Sequence, residues 1–301
     1  MKLIRKLFYT TLTTFTILTI YTISSIEDNT LRTNLELEDI TNIKTNTVYL
    51  LNNNNYLEKV DIFIEKSDVK NQVINIINYL KESNNKIQSN YNGYVPKNTN
   101  ILDISIKNNI LYLNLSKEFL KEDFNITITG LIKSLLEIKG IDKVELKVEG
   151  NYVEGYNKVF DKSLAINKKY ELQNRNNINK VVVYYMSKDN NYIPVTKYVN
   201  DKREKVEIII DELKNNNDSN LISYLNSNTK LINYKEENNI IFLNFNKYLI
   251  DDINSKEKII NQIAYSVFDN YDIESVIFEI EEKNINIINK SWIFRLNSVF
   301  S

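Results

Sequence analysis

The stretch Asn108-Asn109-Ile110-Leu111-Tyr112-Leu113-Asn114-Leu115 returns without a gap as Asn238-Asn239-Ile240-Ile241-Phe242-Leu243-Asn244-Phe245. Each run opens on an Asn pair, and Asn accepts the left-handed conformations of a tight hairpin turn. Leu111, Leu113 and Leu115 then alternate with Tyr112 and Asn114. That period of two puts one face of a strand on a core. Ile101–Ile106 and Ile110–Leu115 therefore read as a hairpin, and the same hairpin recurs in the second half of the chain.

Outward from the hairpin, further blocks match in the same order. Asn98-Thr99-Asn100-Ile101-Leu102 pairs with Asn228-Thr229-Lys230-Leu231-Ile232, and Lys117 falls on Lys247. Upstream, Val73, Ile76, Ile77 and Leu80 pair with Val206, Ile209, Ile210 and Leu213. Val48-Tyr49-Leu50 pairs with Val183-Tyr184-Tyr185. Downstream, Ile141, Val144, Leu146 and Val148 pair with Ile273, Val276, Phe278 and Ile280. Biased composition alone does not preserve such an order, so the chain is read as a tandem duplication.

Each copy reads as strand, strand, helix, hairpin, helix, strand. In the first copy, Thr47–Leu51 and Val60–Ile64 flank the Asn-rich turn Asn52–Asn55. Asp68–Glu82 carries Val69, Val73, Ile76, Ile77 and Leu80 at helical spacing, with Ser67 or Asp68 as N-cap. Ile126–Ile138 is the second helix, with Gly140 as its C-cap glycine, and Lys143–Val148 is the last strand. The expected fold is α+β: two tandem small αβ domains, each a mixed sheet with two helices, behind an N-terminal transmembrane or signal segment. The expected divisions are 1–27 anchor or signal, 45–151 first domain, 152–179 linker, 180–284 second domain and 285–301 tail. The linker carries Tyr156, Phe160 and Tyr170 as anchors, and the tail carries Trp292, Phe294 and Leu296.

Composition removes several chemistries. Among 301 residues there is no Cys and no His, so thiol nucleophiles, disulfides, His-based triads and ordinary zinc sites are excluded. Only 5 Gly are present, and no Gly-rich phosphate loop exists. The 38 Lys and Arg against 39 Asp and Glu give no basic excess, so no nucleic-acid partner is expected. Nothing in the sequence calls for a cofactor, a metal or a catalytic residue. Ser116-Lys117 is a poor Ser-Lys pair, because neighbours on a strand point to opposite faces. Glu236-Glu237, Asp251-Asp252 and Glu281-Glu282 read as solvated charges rather than carboxylates set across a cleft.

The first residues read as an address. Lys2, Arg5 and Lys6 precede Leu7–Ile26, which is uncharged and contains seven Thr, and Glu27 and Asp28 follow. A helix needs about 20 apolar residues to cross a bilayer, and the basic flank stays inside. Residues 7–26 are thus a membrane anchor, or a signal peptide with Thr22-Ile23-Ser24 near its cleavage site. Either reading places the body outside the cytoplasm: at the cell membrane as a single-pass protein, or secreted.

The first copy also carries a longer string: Tyr94-Val95-Pro96-Lys97-Asn98-Thr99-Asn100-Ile101-Leu102-Asp103, the hairpin, Ser116-Lys117-Glu118-Phe119, and Gly140-Ile141-Asp142-Lys143-Val144 leading to Val148-Glu149-Gly150. This resembles the GerMN-domain family over about residues 45–285. The second copy departs from the pattern, with no proline before Asn228 and Asn246-Lys247-Tyr248 in place of Ser116-Lys117-Glu118. The absent lipid-bearing Cys is a second departure, since such proteins are often lipoproteins. The resemblance implies a non-enzymatic, extracytoplasmic assembly factor in sporulation and germination. It also implies a domain similar to ring-building domains, and partners among sporulation envelope or mother-cell–forespore channel proteins. Self-association into a homo-oligomer is a further partner reading. A binding module for peptidoglycan or spore cortex is the alternative function, and a cell-wall hydrolase the second alternative, which the missing His, Cys and cleft carboxylate pair disfavour. Candidate interaction residues are Tyr91, Gly93, Tyr94, Pro96, Ser116 and Trp292. Tyr91 and Tyr94 either stack on a glycan or partner, or plug the base of the sheet beside Pro96.

Overall fold

The computed structural model describes residues 43–120, 124–171 and 178–290. The anchor or signal reading of residues 1–27, and Trp292, Phe294 and Leu296, lie outside the described residues. Among the described residues no helix is long and apolar enough to cross a membrane.

The fold is α+β, and the elements repeat. The first copy runs β1 (Ile43–Asn52), β2 (Leu57–Glu65), α1 (Val69–Tyr79), β3 (Tyr91–Asn92), β4 (Ile101–Lys107), β5 (Ile110–Leu115), α2 (Phe124–Leu136) and β6 (Lys143–Val148). The short strands β7 (Asn151–Tyr152), β8 (Val159–Phe160) and β9 (Lys169–Glu171) follow. The second copy runs β10 (Ile178–Met186), β11 (Tyr192–Asn200), α3 (Lys205–Lys214), β12 (Leu231–Glu237), β13 (Ile240–Phe245), α4 (Lys256–Asn270), β14 (Ser275–Ile280) and β15 (Lys283–Asn289).

Each copy places its hairpin in a mixed sheet. The orders are β4-β5-β6-β7, with β8 also on β6, and β12-β13-β14-β15. The β5–β6 and β13–β14 pairs are parallel, because α2 and α4 carry the chain back over the sheet. Smaller sheets β2-β1-β3 and β10-β11-β9 complete the copies. Asn108 and Asn109 have φ of 48° and 60°, and Asn238 and Asn239 have 53° and 60°. Both hairpins therefore turn through two left-handed residues, as the Asn pairs require.

The core follows the alternation. Leu111, Leu113 and Leu115 face Val144, Leu146 and Val148, all buried, and Ile241, Leu243 and Phe245 face Val276 and Phe278. Asp68 caps α1 by accepting from the Asn71 N–H at 2.9 Å. That helix ends sooner than periodicity suggests, because the Asn84 amide takes the Tyr79 carbonyl at 2.8 Å. Gly140 has φ of +96°, but it lies beyond the last helical residue, Leu136, and serves the turn into β6 rather than the helix cap.

The outer edge of β10 is closed by a helix instead of a strand. Asn270 bonds both backbone groups of Val182, at 3.0 and 2.7 Å. Ser266 Oγ accepts from Tyr184 N–H at 2.8 Å, and Gln262 donates to the Tyr184 carbonyl at 3.3 Å. The spacing works because four helical residues rise about 6 Å, close to two strand residues. Tyr184 faces Pro194 across the ladder. Since Tyr184 turns both its backbone groups to the helix, the missing proline N–H costs this pair nothing.

The first copy keeps part of this device. Ser134 Oγ accepts from Tyr49 N–H at 2.8 Å, matching Ser266. At the position of Gln262 stands Gly130, and Tyr94 fills the space, its hydroxyl donating to the Tyr49 carbonyl at 2.7 Å. A Cβ on Gly130 would lie 2.5 Å from the Tyr94 ring. One copy closes its strand with a glutamine, the other with a tyrosine laid over a glycine.

Candidate functional site

The residues singled out in the sequence occupy different settings. Tyr91 and Tyr94 are 5% and 6% exposed, so neither offers a ring face to a glycan. The stacking platform is thereby corrected: the two rings plug the base of the sheet, and both hydroxyls are consumed inside. Pro96 is buried beside them. Gly93 is where the backbone presses on the end of α1, a Cβ there falling 2.2 Å from the Lys81 carbonyl oxygen. Ser116 is buried and its Oγ accepts from Asn100 N–H at 3.0 Å, tying the start of β4 to the end of β5. Trp292 lies outside the described residues. Tyr91, Gly93, Tyr94 and Pro96 come together, while Ser116 serves another part of the domain.

Tyr91 belongs to a network that the sequence did not reveal. Glu58 is 1% exposed and accepts from Tyr91 OH at 2.8 Å and from the Asn52 amide at 2.6 Å. Asn191, on the turn between β10 and β11, donates to Tyr91 OH at 2.8 Å. Burial pushes the Glu58 carboxyl up, against the opposite pull of Asn52, Tyr91 and Asn191. A carboxyl raised in the fold holds its proton more tightly than in the unfolded chain. Its contribution is complete below the unfolded glutamate value of about 4.3 and is lost as pH rises through the folded value. Glu58→Gln should therefore flatten the decline of melting temperature with pH and gain on the native chain as pH rises. Parallel pH profiles for the two chains would remove Glu58 from this role.

Further bonds close the seam between the copies. Asn167 accepts from Leu57 N–H at 2.9 Å, and its amide donates at 2.8 Å to the carbonyls of Leu57 and of Pro194. Tyr56 packs on the second core and donates to Asp218 at 2.5 Å. Glu137 accepts from Tyr49 OH at 3.2 Å and stands 3.2 Å from Lys59, while Asp269 accepts from Tyr184 OH at 2.8 Å. Tyr49 and Glu137 occupy the same places in the first copy as Tyr184 and Asp269 in the second. Burial lowers the Lys59 ammonium, but Glu137, Asp269 and Asp61 together outweigh it and hold it above its ordinary value. Burial, with both carboxylates, pushes the Tyr49 and Tyr184 hydroxyls up. Asn167 and Tyr56 bind the copies to one another, while Glu137 and Asp269 each hold a tyrosine of their own copy. Among the described residues no group of three or more acidic side chains is placed to hold a metal.

Outward-facing features are repeated too. Among the described residues β4 and β12 each lie at one end of their sheets. Each carries a bulge, at Leu102 and at Ile232, and these matched residues are 49% and 52% exposed. A bulge blunts indiscriminate pairing along an edge. Here it also turns an aliphatic side chain to solvent at the same place in both copies.

The tandem GerMN domains of the sporulation protein GerM from Bacillus subtilis share this fold, with TM-score 0.75 at 20% identity over 86% of this chain and 100% of that one. The first GerMN domain of the same protein aligns with TM-score 0.34 at 21% identity, over 37% of this chain and 86% of that one. No curated protein matches by sequence. The Germane family, of sporulation and spore germination, matches residues 47–154 and 182–286, one stretch in each copy. The chain belongs to the Germane family, as a tandem pair of its domains.

Proposed function

We propose that this sporulation- and germination-related chain is a membrane-anchored, non-enzymatic assembly protein whose body lies outside the cytoplasm. Residues 7–26 are its anchor or signal. It acts through protein–protein contacts, with partners among sporulation envelope or mother-cell–forespore channel proteins, or with further copies of itself. The observation that carries this reading is the repeated sheet edge among the described residues: β4 with Leu102 and β12 with Ile232, on two copies bonded along one seam. An exposed strand accepts another strand by main-chain bonding, and side chains beside it select the partner. Two such edges on one body let a chain join two neighbours.

The test is location and crosslinking in sporulating cells. A fluorescent fusion should gather at the membrane engulfing the forespore, and photo-crosslinkers on β4 and β12 should capture discrete partners. Leu102→Asp and Ile232→Asp should each weaken capture at the altered edge, and together abolish it. Exposed substitutions of this kind change stability by only about 0.5 kcal/mol, so purified variants should melt like the native chain. An even envelope distribution, unchanged by sporulation and by both variants, would sink the proposal.

A further inference from the structure

The two copies differ sharply on the sheet face opposite their buried rows. In the first copy one cross-strand row of this face reads Ser105, Tyr112, Glu145 and Val159. The next contains Asn114, Lys147 and Tyr152. These polar groups satisfy one another. Tyr152 OH donates to Glu145 at 2.9 Å, Lys147 lies 3.4 Å from Glu145, and the Lys147 ammonium sits 4.8 Å from the Tyr152 ring centre.

In the second copy the matching row reads Lys235, Phe242, Ile277 and Ile287. Phe242 and Ile277 are half-buried and Ile287 is 45% exposed. Ile240, also half-buried, extends the strip into the next row. Isoleucine at the place of Glu145 turns a polar face into an apolar strip across β13, β14 and β15. A contiguous strip of this kind is normally covered.

We propose that residues 291–301, Ser291-Trp292-Ile293-Phe294-Arg295-Leu296-Asn297-Ser298-Val299-Phe300-Ser301, dock on this strip. The chain leaves β15 at Asn289, which shares a row with Ile240 and Ser275, so the segment begins beside the strip. Four strands span about 15 Å, and eleven extended residues reach about 36 Å, which is ample to cross the face. Trp292, Ile293, Phe294, Leu296, Val299 and Phe300 are apolar, and the single charge, Arg295, has Glu279 as a complement on the same face. Docking removes both apolar surfaces from water at once.

Trp292 is the chain's one tryptophan, so its fluorescence reports the event directly. In the full chain its emission should be blue-shifted and shielded from acrylamide at every protein concentration. Ile287→Asp and Phe242→Ser should each shift the emission to the red and raise quenching toward the level seen in urea, with far-UV circular dichroism unchanged. Ile287 is exposed on an outer strand, so that variant retains the fold even where Phe242→Ser does not. Native emission as accessible as in urea would overturn the proposal. Shielding that neither variant alters would overturn it by placing the segment elsewhere. Shielding that grows with concentration would overturn it in favour of a second copy as the occupant.

Discussion

Gly93→Ala is expected to lower stability by about 3–4 kcal/mol, the size reserved for a broken packing motif rather than an ordinary substitution. The added Cβ would lie 2.2 Å from the Lys81 carbonyl oxygen, 2.7 Å from its carbon and 3.1 Å from Glu82 N. All three are backbone atoms, so no side chain can rotate away to relieve the clash. Residues 93–95 must retreat from the end of α1. That retreat breaks the bonds from Tyr94 N–H to the Leu80 carbonyl at 3.0 Å and from Glu82 N–H to the Val95 carbonyl at 2.8 Å. It also pulls Tyr94 off Gly130 and Tyr91 off Glu58, which exposes the seam to water. Chemical denaturation followed by circular dichroism measures the effect. A midpoint within experimental scatter of the native one would show that the loop relaxes without cost.

Gln262→Leu should cost about 3–5 kcal/mol, although it is close in volume and replaces a residue only 1% exposed. The Gln262 side chain accepts from Tyr224 N–H at 3.0 Å and donates to the carbonyls of Tyr184 at 3.3 Å and Ile222 at 2.8 Å. Ile222 keeps its bond from Met186 N–H at 2.9 Å. Among the described residues the Tyr184 carbonyl and the half-buried Tyr224 N–H have no such second bond, and a buried group left unpaired costs about 1–3 kcal/mol. Gln262→Glu tests the direction of the bonds, since a carboxylate still accepts from Tyr224 but gives nothing to Tyr184. At neutral pH it should cost at least as much as Gln262→Leu, because a buried carboxylate then faces the Tyr184 and Ile222 carbonyls, and the cost should shrink at low pH, where the protonated acid can donate. Amide exchange at Tyr184 and Tyr224 localises the loss. Exchange as slow as in the native chain would mean that the helix does not close this edge.

Both substitutions touch residues that look ordinary in the sequence. Gly93 reads as a loop hinge beside two tyrosines, and Gln262 as a polar position in a helix. Gln262 carries its weight because of what crosses it in space: an unpaired strand edge. Glu58 is a further case. In sequence it is a polar residue near an Asn-rich turn, and its burial follows only from Asn52, Tyr91 and Asn191 converging on one point. An acid inside a strand carries no mark of that fate.

The tyrosines show how far local reading reaches. Tyr91-Asn92-Gly93-Tyr94 has the composition of a binding loop, and equally that of a plug. Aromatic rings gain from burial in either setting, so the local sequence does not choose. Gly130 chooses, because its missing side chain leaves the space that the Tyr94 ring occupies.

The sequence by itself determined the duplication, the order of the main strands and helices of each copy, the two hairpins and the face that the hairpin strands bury, but not the short strands β3 and β7 to β9, nor β15. Those features depend on period and turn chemistry within a few tens of residues, and on the return of the same local patterns about 130 positions further on. The tertiary structure alone decided which polar residues close the seam, which edge a helix covers, and which face of the second sheet is left apolar. Each of these is a meeting of residues distant in the chain, such as Tyr91 with Asn191, 100 positions apart. Burial and the pairing of backbone groups set them, and neither is a property of any one segment.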